Sequence, residues 1–213
     1  MTRILLIRHG HVEGIVPERF RGRTEVPLSE LGRGQAAATA ARLAAGRRFA
    51  LVYTSPMGRC LETARAIAAA GRAEVETLPS LTDLDYGAWQ WKTYDEVRAA
   101  QPELFARWFA APETVRFPGG DSLQDLVART ADALRTVIEE RADDTVVMVG
   151  HDSVNRSILM QVLDQPLSAY WRIAQSPCAI NEIEVGEGEP RVPRVNDTAH
   201  LDAVDPITPA GAG

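Results

Sequence analysis

Short apolar runs recur along the chain, each followed by polar or small residues and then by a helical period. Ile4-Leu5-Leu6-Ile7 contains no polar residue and reads, with Arg3, as a buried parallel strand. Leu51-Val52-Tyr53 and Thr145-Val146-Val147-Met148-Val149 repeat the pattern. Glu74–Leu78, Ala179–Val185 and Arg191–Val195 are further strand candidates. Between them lie helical signals. Ser29 caps an Ala-rich helix that runs to about Ala45 and that Gly46 stops. Ser55 and Pro56 predict the N-cap and first position of a helix to about Ala70. Ser122-Leu123-Gln124-Asp125 has the form of a capping box, with Asp in place of Glu, opening a helix to about Arg141. Val154, Ile158, Leu159, Val162 and Leu163 mark one more helical face, beginning near Val154. Strands alternating with helices predict an α/β fold with a mostly parallel sheet.

The chemistry sits where strands end. In open α/β sheets, ligands bind outside the carboxyl ends of the strands. The first strand delivers Arg8-His9-Gly10, with Gly10 read as a flexible link, and the run at 145–149 delivers Gly150-His151-Asp152-Ser153. An Arg there offers phosphate oxygens a planar, permanently charged fork. A His offers a nucleophilic nitrogen at neutral pH. Arg-His-Gly alone is a common tripeptide, and the second strand-end His is what gives it weight. Arg59 falls in the first turn of the helix after Leu51–Tyr53, where backbone N–H groups and the helix dipole favour an anion. As a helix-surface residue it is expected to contribute little to stability.

Taken together, the motifs resemble the histidine phosphatase superfamily, in its phosphoglycerate mutase-like branch. The resemblance runs from Arg3 to about Leu163 and rests on six blocks in the family's order. These are Leu6–Gly10, Arg19–Ser29, Tyr53–Pro56 with Arg59 and Thr63-Ala64, Leu81–Trp89, Phe117–Ser122, and Val149–His151. The resemblance implies a three-layer α/β/α sandwich around a mostly parallel sheet, with a small helical cap inserted at about 86–120. It also implies that His9 is the phosphorylated nucleophile, that Arg8, Arg59 and His151 form the phosphate pocket, and that Asp83 is the proton donor. The sequence departs from the family pattern at several points. Asp83 stands where Glu is usual, which makes Asp85 the reserve donor. Ile15 stands where an Asn is common, so that Arg19 or Arg21 is expected to supply the missing phosphate contact. His11 follows the Arg-His-Gly motif in place of Glu, and Asp152 and Asn155 follow His151 where small or apolar residues are common. These differences bear on the substrate more than on the chemistry.

Composition narrows the class further. The 213 residues suit one domain over 1–202, with a Pro-, Gly- and Ala-rich tail over 203–213. A net charge of −6 argues against a general nucleic-acid or membrane surface, while leaving room for a local positive pocket. Cys60 and Cys178, the two cysteines, suggest neither a disulfide framework nor a zinc site. Cys60 is expected to be a packed thiol, although a helix N-terminus can lower a thiol pKa. No secretory leader pattern or apolar run approaching 18 residues is present, so a cytoplasmic location is the expectation. Eight of the thirteen aromatics lie between Tyr86 and Phe117, and Trp89 and Trp91 are the expected pocket-lining rings.

The mechanism expected is metal-independent phosphomonoester hydrolysis through a phosphohistidine. Arg8, Arg59 and a protonated His151 neutralise the phosphate oxygens, so neither metal nor cofactor is called for. The partner is a small phosphorylated substrate, with no nucleic acid or membrane, and a homodimer stays open. Alternatives are a phosphoglycerate-type phosphomutase, a metallohydrolase using His9-x-His11 with His151 and Asp152, a non-catalytic phosphate-binding module, and a phosphoprotein phosphatase.

Overall fold

The computed structural model describes residues 1–46, 48–49 and 51–204. In chain order the elements are β1 (Thr2–Arg8), α1 (Glu30–Ala44), β2 (Leu51–Thr54), α2 (Gly58–Gly71), β3 (Glu74–Thr77), α3 (Tyr94–Ala100), α4 (Pro102–Ala110), α5 (Leu123–Glu140), β4 (Thr145–Gly150), α6 (Asp152–Val162), β5 (Ile180–Val185) and β6 (Arg191–Asp197). The strands form one sheet in the order β3-β2-β4-β1-β5-β6. The pairs β3/β2, β2/β4 and β4/β1 are parallel, whereas β5 and β6 add an antiparallel edge.

Side-chain alternation sorts the two faces. Ile4, Leu6, Val146 and Met148 face a core shared with Leu126, Val137, Ile158 and Leu159 of α5 and α6. Ile7, Val147 and Val149 face Ala40, Leu43, Ala64 and Ile67 of α1 and α2. Helices cover both faces, which is why β1 and β4 can be apolar without alternation. The result is a three-layer α/β/α sandwich.

The caps explain where the helices begin. The Ser29 hydroxyl accepts from Gly32 N–H at the start of α1, and the Ser122–Asp125 capping box opens α5. Two starts differ from the sequence expectation. α2 begins at Gly58 with Met57 as N-cap, not at Pro56 behind Ser55. Ser55 is instead the continuation of β2, its N–H donating to the Val149 carbonyl at 3.0 Å, because the sheet ladder claims that residue before the helix can. α6 begins at Asp152, ahead of the apolar period, because buried positions mark the face of a helix rather than its first turn. Of the tail expected over 203–213, residues 205–213 lie outside the described residues.

Gly10 also differs from its expected role. A Cβ there would lie 2.5 Å from the Gly32 carbonyl oxygen, and one on Gly32 would lie 2.1 Å from the His11 carbonyl oxygen. Gly10 and Gly32 therefore let the loop after β1 rest directly on the first turn of α1. Between Asp83 and α5, the short helix α4 contributes Trp108 and Phe105, and α3 contributes Tyr94, to a ring cluster with Phe20, Trp89 and Phe117. Among the described residues, no helix is long and apolar enough to cross a membrane.

Candidate active site

Register brings the two histidines together. Arg8 of β1 lies opposite Gly150 of β4, so the next residues, His9 and His151, leave the sheet at one level. His9 N–H donates to the Gly150 carbonyl at 3.0 Å, and the two imidazole centroids are 5.3 Å apart. Thr54 of β2 lies opposite Val149, which delivers Ser55 and then α2 to the same end of the sheet. Arg59, in the first turn of α2, reaches back between the two rings.

Hydrogen bonds fix the tautomers. His9 Nδ1 is 2.7 Å from the Gly10 carbonyl oxygen, which can only accept. The proton is therefore on Nδ1, and the Nε2 lone pair faces the cleft, where Arg59 Nε donates to it at 3.2 Å. His151 Nδ1 accepts from Arg59 Nη2 at 3.1 Å, and its Nε2 donates to Ser55 Oγ at 2.9 Å. Burial drives the pKa of His9 well below the usual imidazole value, and the charge of Arg59 pushes in the same direction. Burial and Arg59 do the same to His151. Both causes favour the neutral His151 ring in the free site, whereas the expected protonated form belongs to the phosphate-bound state. Burial also lowers the Arg8 pKa to about 10, which leaves it charged.

Arg59 is fully buried, at 0% exposure, and is not the surface residue its sequence position suggests. Its Nη2 donates to Asp83 Oδ2 at 3.0 Å and to the Gly22 carbonyl at 2.7 Å, and its Nη1 donates to the Thr24 carbonyl at 2.9 Å. Asp83 Oδ1 accepts from Leu84 N–H at 2.9 Å and from the Ser153 hydroxyl. Its Oδ2 is 3.4 Å from His151 Nδ1. Asp85 turns away from the site, accepting from Gly87 N–H at 2.8 Å and pairing with Arg23 at 3.2 Å. Arg8 lines the cleft with Nη1 donating to the Gln175 carbonyl.

Arg19 and Arg21 line the same cleft. Their Nη1 groups donate to the carbonyls of Trp91 and Gly14, each at 2.7 Å. The expected Trp89 and Trp91 do not line it. Trp89 is 1% exposed within the aromatic core, and Trp91 stacks under Arg19 at 5.1 Å. The lining rings are Tyr86, Tyr94, Tyr170 and Trp171. Nothing local in the sequence signals Tyr170 and Trp171, which arrive from a 3-10 turn at Leu167–Arg172. Ser153 was legible only as a neighbour of His151, and Ser55 only as a cap.

The cleft encloses about 50 Å³. A larger hollow of about 170 Å³ lies at the other end of β1, beside Arg3 and Glu182, and contains none of these groups. Volume therefore does not locate the chemistry, and the convergence of two imidazoles and four guanidiniums does. The metal-ligand alternative does not assemble. His11 Nδ1 bonds Ser29 Oγ at 2.8 Å instead of joining His9, and no group of three or more His, Cys, Asp or Glu among the described residues could hold a metal ion. Cys60 is fully buried and burial pushes its thiol pKa up, so it is a packed thiol rather than a reactive one.

Comparisons with known proteins bear on the family and the fold. A family model described as the histidine phosphatase superfamily (branch 1) matches residues 4–198. Phosphoserine phosphatase 1 of Hydrogenobacter thermophilus is 31% identical over 94% of this chain and 95% of its own length. A metal-independent phosphoserine phosphatase of Arabidopsis thaliana is 30% identical over 96% of this chain and 85% of its own. Among solved structures, YhfR of Bacillus stearothermophilus superposes with a TM-score of 0.88 at 29% identity, covering 94% of this chain and all of the other, 100%.

Proposed function

Because this chain belongs to the histidine phosphatase superfamily, we propose that it hydrolyses small phosphomonoesters without a metal, through phosphate carried on His9 Nε2. The carrying observation is the His9 tautomer: Nδ1–H is committed to the Gly10 carbonyl, which leaves Nε2 as the nucleophile beside Arg59 and Asp83. Arg8 and Arg59 bind the phosphoryl oxygens and stabilise the charge that builds on them in the transition state. Arg19 and Arg21 extend that positive field to the mouth of the cleft. The incoming dianion favours proton uptake at His151 Nδ1, which then donates to a phosphoryl oxygen.

In the first step His9 Nε2 bonds to phosphorus, the ester P–O bond breaks, and Asp83 acts as general acid, passing a proton to the departing oxygen. In the second, Asp83 as carboxylate takes a proton from water, whose oxygen bonds to phosphorus as the P–N bond breaks. Two relatives named as phosphoserine phosphatases make O-phosphoserine the first substrate to try. A cytoplasmic location belongs to the same proposal. A phosphomutase would use the same pocket, and one relative at 27% identity is named a probable phosphoglycerate mutase. The short stretch from Asp83 to Trp91 favours hydrolysis.

Rapid quenching during turnover tests the proposal. The expected result is an acid-labile, base-stable phosphate on His9, with activity that survives chelator and is inhibited by orthovanadate. His9→Ala should lose both adduct and turnover. Phosphate on His151, or turnover that a chelator abolishes and a divalent ion restores, would overturn it. Transfer to a sugar acid only in the presence of its bisphosphate would favour the mutase, and ligand binding without turnover would mean a non-catalytic module.

A further inference from the structure

The cleft holds one group that a phosphate site does not need. Asp152, the first residue of α6, lines it together with Arg8 and His9. A carboxylate beside the site of a phosphate dianion repels the very ligand that the arginines attract. An Asp at a helix start with an Arg four residues on is ordinary helix chemistry. Three observations go beyond that. Arg156 Nε stands 2.6 Å from Asp152 Oδ1, and the guanidinium is stacked 5.1 Å from the Tyr170 ring and 4.9 Å from the Trp171 ring. The carboxylate is therefore held in place and still faces the cleft, with its side chain 32% exposed. The lining tyrosines 86, 94 and 170 make no hydroxyl hydrogen bond to any described residue, although Tyr170 is only 2% exposed. Burial raises the Tyr170 pKa and the Asp152 charge raises it further, and both groups line the cleft. Finally, Arg19 and Arg21 enter from the loop after β1, so the cleft beyond the phosphate carries cations from that loop and an anion from α6.

We propose that Asp152 determines specificity for the alcohol part of the ester by taking an ammonium group there, while Arg19 and Arg21 take a carboxylate. The substrate class is then a phosphorylated amino acid, preferred over a phosphorylated hydroxy acid of the same shape. The inference rests on the phosphatase reading of the same cleft. Arg156 offsets part of the Asp152 charge, and a cation on the ligand offsets more at the exposed side of the carboxylate, so an ester lacking one is discriminated against.

Steady-state kinetics on three probes tests this: O-phospho-L-serine, 3-phospho-L-glycerate and p-nitrophenyl phosphate. The first two differ in an ammonium against a hydroxyl on one carbon. The wild-type protein should favour O-phospho-L-serine over 3-phospho-L-glycerate by about tenfold or more in kcat/KM. Asp152→Asn should cut that ratio by about tenfold, with KM for O-phospho-L-serine rising more than kcat falls. Asp152→Ser, which keeps a small polar residue at the first position of the helix, should behave alike if the Asn variant does not fold. A wild-type preference for the hydroxy acid, an unchanged ratio in the variants, or an equal fall on all three probes would overturn the assignment. No turnover of p-nitrophenyl phosphate by the wild-type protein would instead sink the phosphatase reading beneath it.

Discussion

Arg59 meets His9, His151, Asp83 and the carbonyls of Gly22 and Thr24 with one guanidinium. That geometry gives it a structural role as well as a chemical one. Arg59→Ala should lower kcat/KM about 100-fold or more, roughly 3 kcal/mol of transition-state stabilisation. It should also destabilise the fold by about 3 kcal/mol or more, because Asp83 is left buried without its cation. Urea denaturation beside kinetics separates the two effects, and unchanged stability would contradict the buried pairing. Asp83→Asn should slow alkyl phosphates more than aryl phosphates, whose leaving groups need less protonation. Asp85→Asn should leave that leaving-group dependence as it is, since Asp85 pairs with Arg23 outside the site. Equal losses across leaving groups in the Asp83 variant would move the donor role elsewhere.

At the scale of elements, the site depends on how closely the loop after β1 meets α1. Gly10→Ala places a methyl group 2.5 Å from the Gly32 carbonyl oxygen, so the loop carrying His9 must move. The expected cost is about 2 kcal/mol in stability, with a fall in kcat as His9 is displaced. A Gly10→Ala protein with wild-type melting temperature and turnover would show that the contact relaxes freely. The capping box of α5 makes a contrasting case. Ser122→Ala removes the acceptor for Asp125 N–H at the helix start and should cost about 1 kcal/mol by urea denaturation. Its effect on kcat/KM should be small, because Ser122 lies away from the cleft. α5 still bears on the site through Arg129, whose Nη2 donates to the Asp83 carbonyl at 2.9 Å.

For the whole molecule, neutral buried imidazoles tie stability to pH. Burial lowers the pKa of His9 and His151 well below the usual value, and burial lowers that of His200 as well. In the unfolded chain each has an ordinary pKa of about 6.5. Below that pH the unfolded chain takes up protons that the folded protein refuses, so stability falls as the pH drops toward the folded values. Above about 6.5 both states are neutral and this contribution is fully present. Unfolding free energy should therefore be level from about pH 8 to 7 and decline through about pH 6. His151→Asn should flatten that decline, and a stability that rises on acidification through this window would contradict the neutral assignment.

Local sequence determined the strands, their alternation with helices and the strand-end placement of Arg8, His9 and His151, because apolar runs and the polar residues that end them are properties of neighbouring positions; the three-layer order came from the family resemblance. The capping box at Ser122 was legible for the same reason: its partner is three residues away. Tertiary structure decided the rest. The register of β1 on β4 places His9 beside His151, and no residue within either strand encodes that alignment by itself. The burial of Arg59, the lowered pKa of His151 and the places of Asp83 in the cleft and Asp85 beside Arg23 follow from what surrounds each group, and the surroundings come from segments far apart in the chain. Trp89 was expected in the cleft and lies in the core, while Tyr170 and Trp171 reach the cleft from a turn beyond α6. A side chain's charge and exposure are set by its neighbours in space, and only the folded chain supplies them.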